Sequence, residues 1–310
     1  MRSSRYGLIM LPLLMATSGC DLDEVLSESS RFQEQFSYSY PLQPGGVVSL
    51  ENFNGSVEIL GWEKQEVRVT GLKYARTQAE LREINIEAEA TAGAVRLRTV
   101  PASGRRGGKG ARYLLRVPRE VRLEHIATSN GSLRVEDIRG PARLETSNGA
   151  VTLKQIEGTI QVRTSNGSIT GDELHGEATL RTSNGSIRLD RLRGALEAVT
   201  SNAGITARIV DPAPHRPLRL ETSNAGIELT MSEFRDNEVT AITSNGSITA
   251  RLPSSLKARL KAATSNGSIH CDFDLLTRTL SKTSVEGDIG GGGALIQLTT
   301  SNASIHVLRL

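Results

Sequence analysis

The sequence predicts an all-β fold: a parallel β-solenoid (β-helix) with roughly 18–22 residues per coil, preceded by an irregular β-rich N-terminal cap. Three observations predict it. A Thr-Ser-Asn-Gly or Thr-Ser-Asn-Ala stretch recurs from residue 128 onward. Aliphatic residues stand at fixed offsets from its asparagine. The runs between copies alternate apolar and polar with a period of two, which suits strands and not helices.

The period comes first. Asn130, Asn148, Asn166, Asn184 and Asn202 are 18 residues apart; Asn224, Asn245 and Asn266 follow at 22, 21 and 21, and Asn302 stands 36 further on. The gap before Asn302 holds "TSVEGDI" at 283–289, which reads as a degenerate copy. Three residues after the asparagine stand Leu133, Val151, Ile169, Ile187 and Ile205, and fourteen after it Leu144, Val162, Leu180 and Ala198. Ten after it stand Gly140, Gly158, Gly176 and Gly194, which mark a second turn. Each coil is therefore two or more short strands, and neighbouring coils pair in parallel to bury their apolar edges.

Strand parity sets the expectation for the repeat itself. In Leu144-Glu145-Thr146-Ser147-Asn148, Leu, Thr and Asn share the inward side. The nine asparagines are thus expected to stack in an inward amide ladder, one per coil. The following glycine is expected to supply a positive φ at the corner. The sequons formed by "NGS" and "NAS", and a threonine face of the ice-binding kind, are weaker readings of the same letters.

Residues 1–19 read as an export signal: Arg2 and Arg5, a short apolar stretch, then Ser18-Gly19-Cys20. The last three resemble a bacterial lipobox, although Thr17 stands where leucine is usual. Cys20 is expected to be lipidated and to anchor the chain to a membrane in the bacterial cell envelope, on the periplasmic face or the cell surface. Cys271 then has no partner, and its spacing from Ile269 and Phe273 predicts a buried apolar role. Residues 20–44 form the lipidated start, a Ser-rich acidic tether and a lead-in segment. Residues 45–120 are β-rich with one short helix at 77–84, where Thr77 and Glu80 make a capping box. The array fills 121–310, with surface loops at 210–217 and 231–238.

Composition agrees with a thin, aliphatic core. Aromatics are 4% and hydrophobic residues 37% of the chain. The 37 basic and 34 acidic residues leave a formal charge of +3, which gives no basis for nucleic-acid binding.

"LENFNGSVEILGW", "YLLRVP" and the serial "TSNG" copies together resemble a bacterial family of unknown function, provisionally termed adhesins, with β-strand repeats. The resemblance spans roughly 45–310. It implies a β-helix-like fold and an exported or envelope location, and it brings no active site.

The search for chemistry returns little. His125, His175, His215, His270 and His306 show no paired ligand spacing, so no metal and no cofactor is expected. No nucleophile elbow, Walker loop or dinucleotide fingerprint is present. One enzymatic alternative stands: Asp172 and Asp190 fall one coil apart, about 5 Å by strand spacing, as a polysaccharide lyase or hydrolase would use them. One candidate for anion binding is the glycine-rich loop 104–112 with Arg105, Arg106, Lys109 and Arg112. The reading is a non-catalytic, adhesin-like envelope scaffold or binding module whose partner is an anionic glycan or another envelope protein.

Overall fold

The structure is a computed structural model that describes residues 32–101 and 107–310. Cys20, Arg105 and Arg106 lie outside the described residues.

The chain builds a parallel β-solenoid. A representative rung is Ala142–Thr146, the Thr-Ser-Asn corner, then Val151–Glu157. Each half pairs in register with its counterpart 18 residues on: Ala142 with Ile160, Val151 with Ile169, Thr152 with Thr170. Alternation does the sorting. Leu144, Val151, Val162, Ile169, Leu180 and Ile187 are all at most 3% exposed, while their sequence neighbours face solvent. Full burial of one such side chain contributes about 1.5–3 kcal/mol, and every rung repeats it.

Fully buried rings lie only at the ends of the described solenoid. Phe36, Phe53 and Tyr113 are buried at the N-terminal end and Phe273 near the C-terminal end, whereas the apolar side chains of the regular rungs are aliphatic. Two short strands per layer leave a narrow interior, and this accounts for the low aromatic content.

Rung order departs from sequence order at both ends. Val47–Glu51 lies between Ala94–Val100 and Arg122–Thr128, and Val57–Trp62 lies between Gly110–Pro118 and Leu133–Arg139. The N-terminal part thus supplies rungs of the same solenoid, and its core is continuous with that of the array. Antiparallel strands cover it: Phe32–Pro41 on Glu66–Ala75, that strand on Gly110–Pro118, and Asn85–Ala90 on Ala94–Val100. The helix Gln78–Glu83 starts where Thr77 Oγ1 accepts the Glu80 N–H at 3.2 Å.

At the other end the last segment doubles back. Leu295–Thr299 sits between Val239–Ile242 and Ala258–Ala263, and Ile305–Arg309 between Ile248–Leu252 and Ile269–Cys271. Residues 283–289 do not form the coil their letters suggest. Ser284–Ile289 runs antiparallel to both Ala258–Ala263 and Leu275–Leu280 and closes the end as a hairpin. The asparagine is replaced there by Val285, which is buried, so the corner has nothing to stack with. Asp288 ties the hairpin down. The hydrogen bond from Arg259, then the charge of Arg278, hold its carboxyl below the usual carboxylate range.

The insertions at 210–217 and 231–238 lie against each other: His215 N–H donates to the Arg235 carbonyl at 3.1 Å, and Arg235 pairs with Asp211 at 3.0 Å. Among the described residues no helix is long and apolar enough to cross a membrane.

Candidate functional site

Two features recur along the solenoid: the Thr-Ser-Asn corner and the turn opposite it. At the corner the threonine is buried and locks two rungs. Thr146 Oγ1 donates to the Gly131 carbonyl at 3.0 Å and accepts the Gly149 N–H at 3.3 Å. The N–H groups of Ser147 and Asn148 converge on the Ser129 carbonyl at 3.2 and 3.0 Å.

The asparagines form a ladder on the outside. Each side-chain amide donates to the carboxamide oxygen of a neighbouring rung at 2.5–2.9 Å, in the order Asn54, Asn130, Asn148, Asn166, Asn184, Asn202, Asn224, Asn245, Asn302, Asn266. At its buried end Asn54 donates to the Lys109 carbonyl at 3.0 Å. The inward placement expected from parity is corrected: Asn130, Asn148, Asn166 and their counterparts up to Asn302 are exposed. Parity holds only while the strand lasts. It stops at the threonine, and the turn swings the asparagine outward.

The expected role of the glycine is corrected as well. Gly131, Gly149, Gly167 and Gly185 are not among the left-handed residues. They are needed because the rungs touch: a Cβ on Gly149 would overlap the Gly131 carbonyl. Left-handed backbone occurs instead at the opposite turn. There Asp137, Gln155, Glu173 and Arg191 have φ of 58°, 54°, 54° and 55°. For residues with side chains this costs about 1–2 kcal/mol each.

That turn carries a groove of about 520 Å³. One wall is the left-handed column just named. The other is Arg139, Glu157, His175 and Arg193, which are register partners on successive rungs about 4.8 Å apart. Arg208, Ile156 and Val210 complete the lining. Most of its charges are engaged: Arg139 with Glu157 at 3.9 Å, Arg191 with Glu173 at 3.4 Å, and Arg208 with Asp190 at 3.4 Å. Among the described residues, Arg193 and His175 have no ion-pair partner. The sequence reading missed this pair, although a fixed offset of nine from the asparagine marks it.

The residues singled out from the sequence are dispersed. Asp172 and Asp190 do face each other on adjacent rungs, but Arg191 Nη2 donates to both oxygens of Asp172 at 2.7 Å. Lys109 is buried: it is 1% exposed, with its Nζ 3.4 Å from Glu80. Arg112 stacks over the Tyr74 ring at 5.6 Å. Both side chains therefore pack within the N-terminal part of the fold. Cys271 is half-buried against the core, and burial pushes its thiol pKa up. His270 pairs with Asp272 at 2.9 Å and His215 with Asp236 at 3.5 Å. No group of three or more metal-ligating side chains occurs among the described residues.

No curated protein matches the chain. Two solved structures are similar to it. One is a protein of Clostridium sporogenes, provisionally described as a cell adhesion protein: 12% identity, TM-score 0.22, covering 89% of this chain and all of that one. The other is a protein of Bacteroides fragilis, provisionally described as an adhesin: 9% identity, TM-score 0.31, covering 89% of this chain and 97% of that one. The model of the family described as Toastrack DUF4097 matches residues 48–308, most of the chain and nearly all of the described solenoid. The chain therefore belongs to the Toastrack DUF4097 family.

Proposed function

We propose that this protein is a non-catalytic lipoprotein of the bacterial cell envelope whose solenoid holds an extended anionic polymer, such as an acidic glycan, along the groove of the left-handed turn. The observation that carries this reading is the juxtaposition of Arg193 and His175. They stand in register on adjacent rungs, in a groove whose other charges are mostly paired. A planar guanidinium suits a carboxylate or phosphate, and the repeat of rungs offers further polar contacts at regular steps along a chain molecule. The Asp172–Arg191 pairing supports a binding role over an enzymatic one, because both carboxylate oxygens are already taken.

The anchor rests on the sequence Ser18-Gly19-Cys20. Replacing Cys20 by alanine is expected to move the protein from the membrane fraction to the soluble fraction.

The groove is tested by retention on immobilised acidic glycans at low and moderate salt. Wild type is expected to bind and to weaken as salt rises, since exposed charges are screened over about 8–10 Å. Arg193→Ser is expected to lose most of the retention, and Arg143→Ser, outside the groove, to keep it. Equal retention by all three overturns the groove. Release of new chain ends from the glycan by wild type overturns the non-catalytic assignment.

A further inference from the structure

Seven rungs carry Asn-Gly, a sequence prone to spontaneous deamidation because glycine leaves its amide nitrogen unhindered: Asn54, Asn130, Asn148, Asn166, Asn184, Asn245 and Asn266. The reaction needs the glycine nitrogen to reach the asparagine Cγ. Four of these corners oppose this twice. The Gly149, Gly167, Gly185 and Gly246 N–H groups donate to the buried threonine of their own corner at 3.2–3.4 Å. The carboxamides of Asn148, Asn166, Asn184 and Asn245 are each held from both sides by the ladder.

Asn266 lacks the first restraint and keeps only half of the second. It is exposed and occupies the last place in the ladder, donating to Asn302 at 2.8 Å. Among the described residues nothing donates to its carboxamide oxygen. Thr264 Oγ1 is directed to the Ala303 carbonyl at 2.8 Å, and the Gly267 N–H has no acceptor among the described residues.

We propose that Asn266 is a site of spontaneous deamidation built into the end of the solenoid. The Gly267 nitrogen attacks Cγ of Asn266 and loses its proton to a solvent base. Ammonia leaves with one proton gained, and a succinimide closes. Water then opens the ring to aspartate or isoaspartate, with no change of oxidation state. The product places a carboxylate against the Asn302 carboxamide oxygen, which cannot donate to it. The reaction stops at one rung, because the next asparagine is followed by Ala303, whose Cβ hinders the same attack.

The test is peptide mapping by mass spectrometry, with separation of aspartate from isoaspartate, after the intact protein has aged in mildly alkaline buffer. Asn266 is expected to convert at least about tenfold faster than Asn148, Asn166 or Asn184, the scale set by losing one or two hydrogen bonds. In denaturant the Asn-Gly sites are expected to converge on one rate. Thr164→Val, which frees the Gly167 N–H, is expected to speed Asn166 selectively. Conversion of Asn266 no faster than the interior sites in the folded protein, or a ranking that survives unfolding, overturns the proposal.

Discussion

Asn302 donates its side-chain amide to Asn245 at 2.7 Å across 57 residues of sequence. It also accepts from Asn266 at 2.8 Å, so the last rung in sequence is the second-to-last in space. The chain lays down 258–271 one place too far and later fills the gap with 295–309. Four glycines, Gly290–Gly293, all with positive φ, make the turn that sends it back.

Removal of residues 294–310 is therefore expected to do more than trim an end. It opens four strand edges at once and withdraws Ile296, Leu298, Ile305 and Val307, each 0% exposed. At about 1.5–3 kcal/mol for each side chain, the loss rivals the whole stability of a domain. Far-ultraviolet circular dichroism is expected to show a much earlier, broader thermal transition. Hydrogen exchange is expected to rise in 239–271, and the peptide 294–310 added in trans to reverse part of it. An unchanged melt sinks the inserted-rung topology.

The ladder ranks its members by position in space. Asn184 and Asn302 each have two partners, and Asn266 has one. Asn184→Ala and Asn302→Ala are each expected to cost about 0.5–1.5 kcal/mol, and Asn266→Ala clearly less. Denaturant unfolding measures all three. Sequence position alone ranks Asn302 with the dispensable ends, so a cheap Asn302→Ala counts against the observed order.

The N-terminal end is expected to fail first in alkali. Tyr113 is 3% exposed, meets Phe36 edge-on with ring centres 5.3 Å apart, and shares a 2.6 Å hydrogen bond with Thr99. Burial pushes its phenol pKa up to about 12 from 10.0, against the opposing effect of that hydrogen bond. The folded state thus keeps a proton that the unfolded chain releases. Stability is intact below pH 10 and falls by about 2–3 kcal/mol as pH rises toward 12. Burial raises Tyr40 and Tyr74 in the same direction. Tyr113→Phe is expected to flatten the alkaline decline without abolishing it, as followed by unfolding free energy against pH. An equally steep decline in the variant excludes Tyr113 as its main source.

Much of this molecule is legible from its letters. The spacing of Asn130, Asn148 and Asn166 sets the rung length, and alternation around Leu144 and Val151 names the core, because every rung meets the same surroundings and one local rule is applied many times. The helix at 78–83 follows from Thr77 and Glu80, since a capping hydrogen bond is a local event. What the letters leave open is which rung lies beside which. Copies of Thr-Ser-Asn are locally equivalent, and only the satisfaction of strand edges far apart in sequence puts Asn302 between Asn245 and Asn266. The outward turn of the asparagines, the contact that requires Gly149, and the meeting of Arg193 with His175 belong to the same category. Each depends on the approach of one rung to the next, a distance that only the assembled solenoid defines.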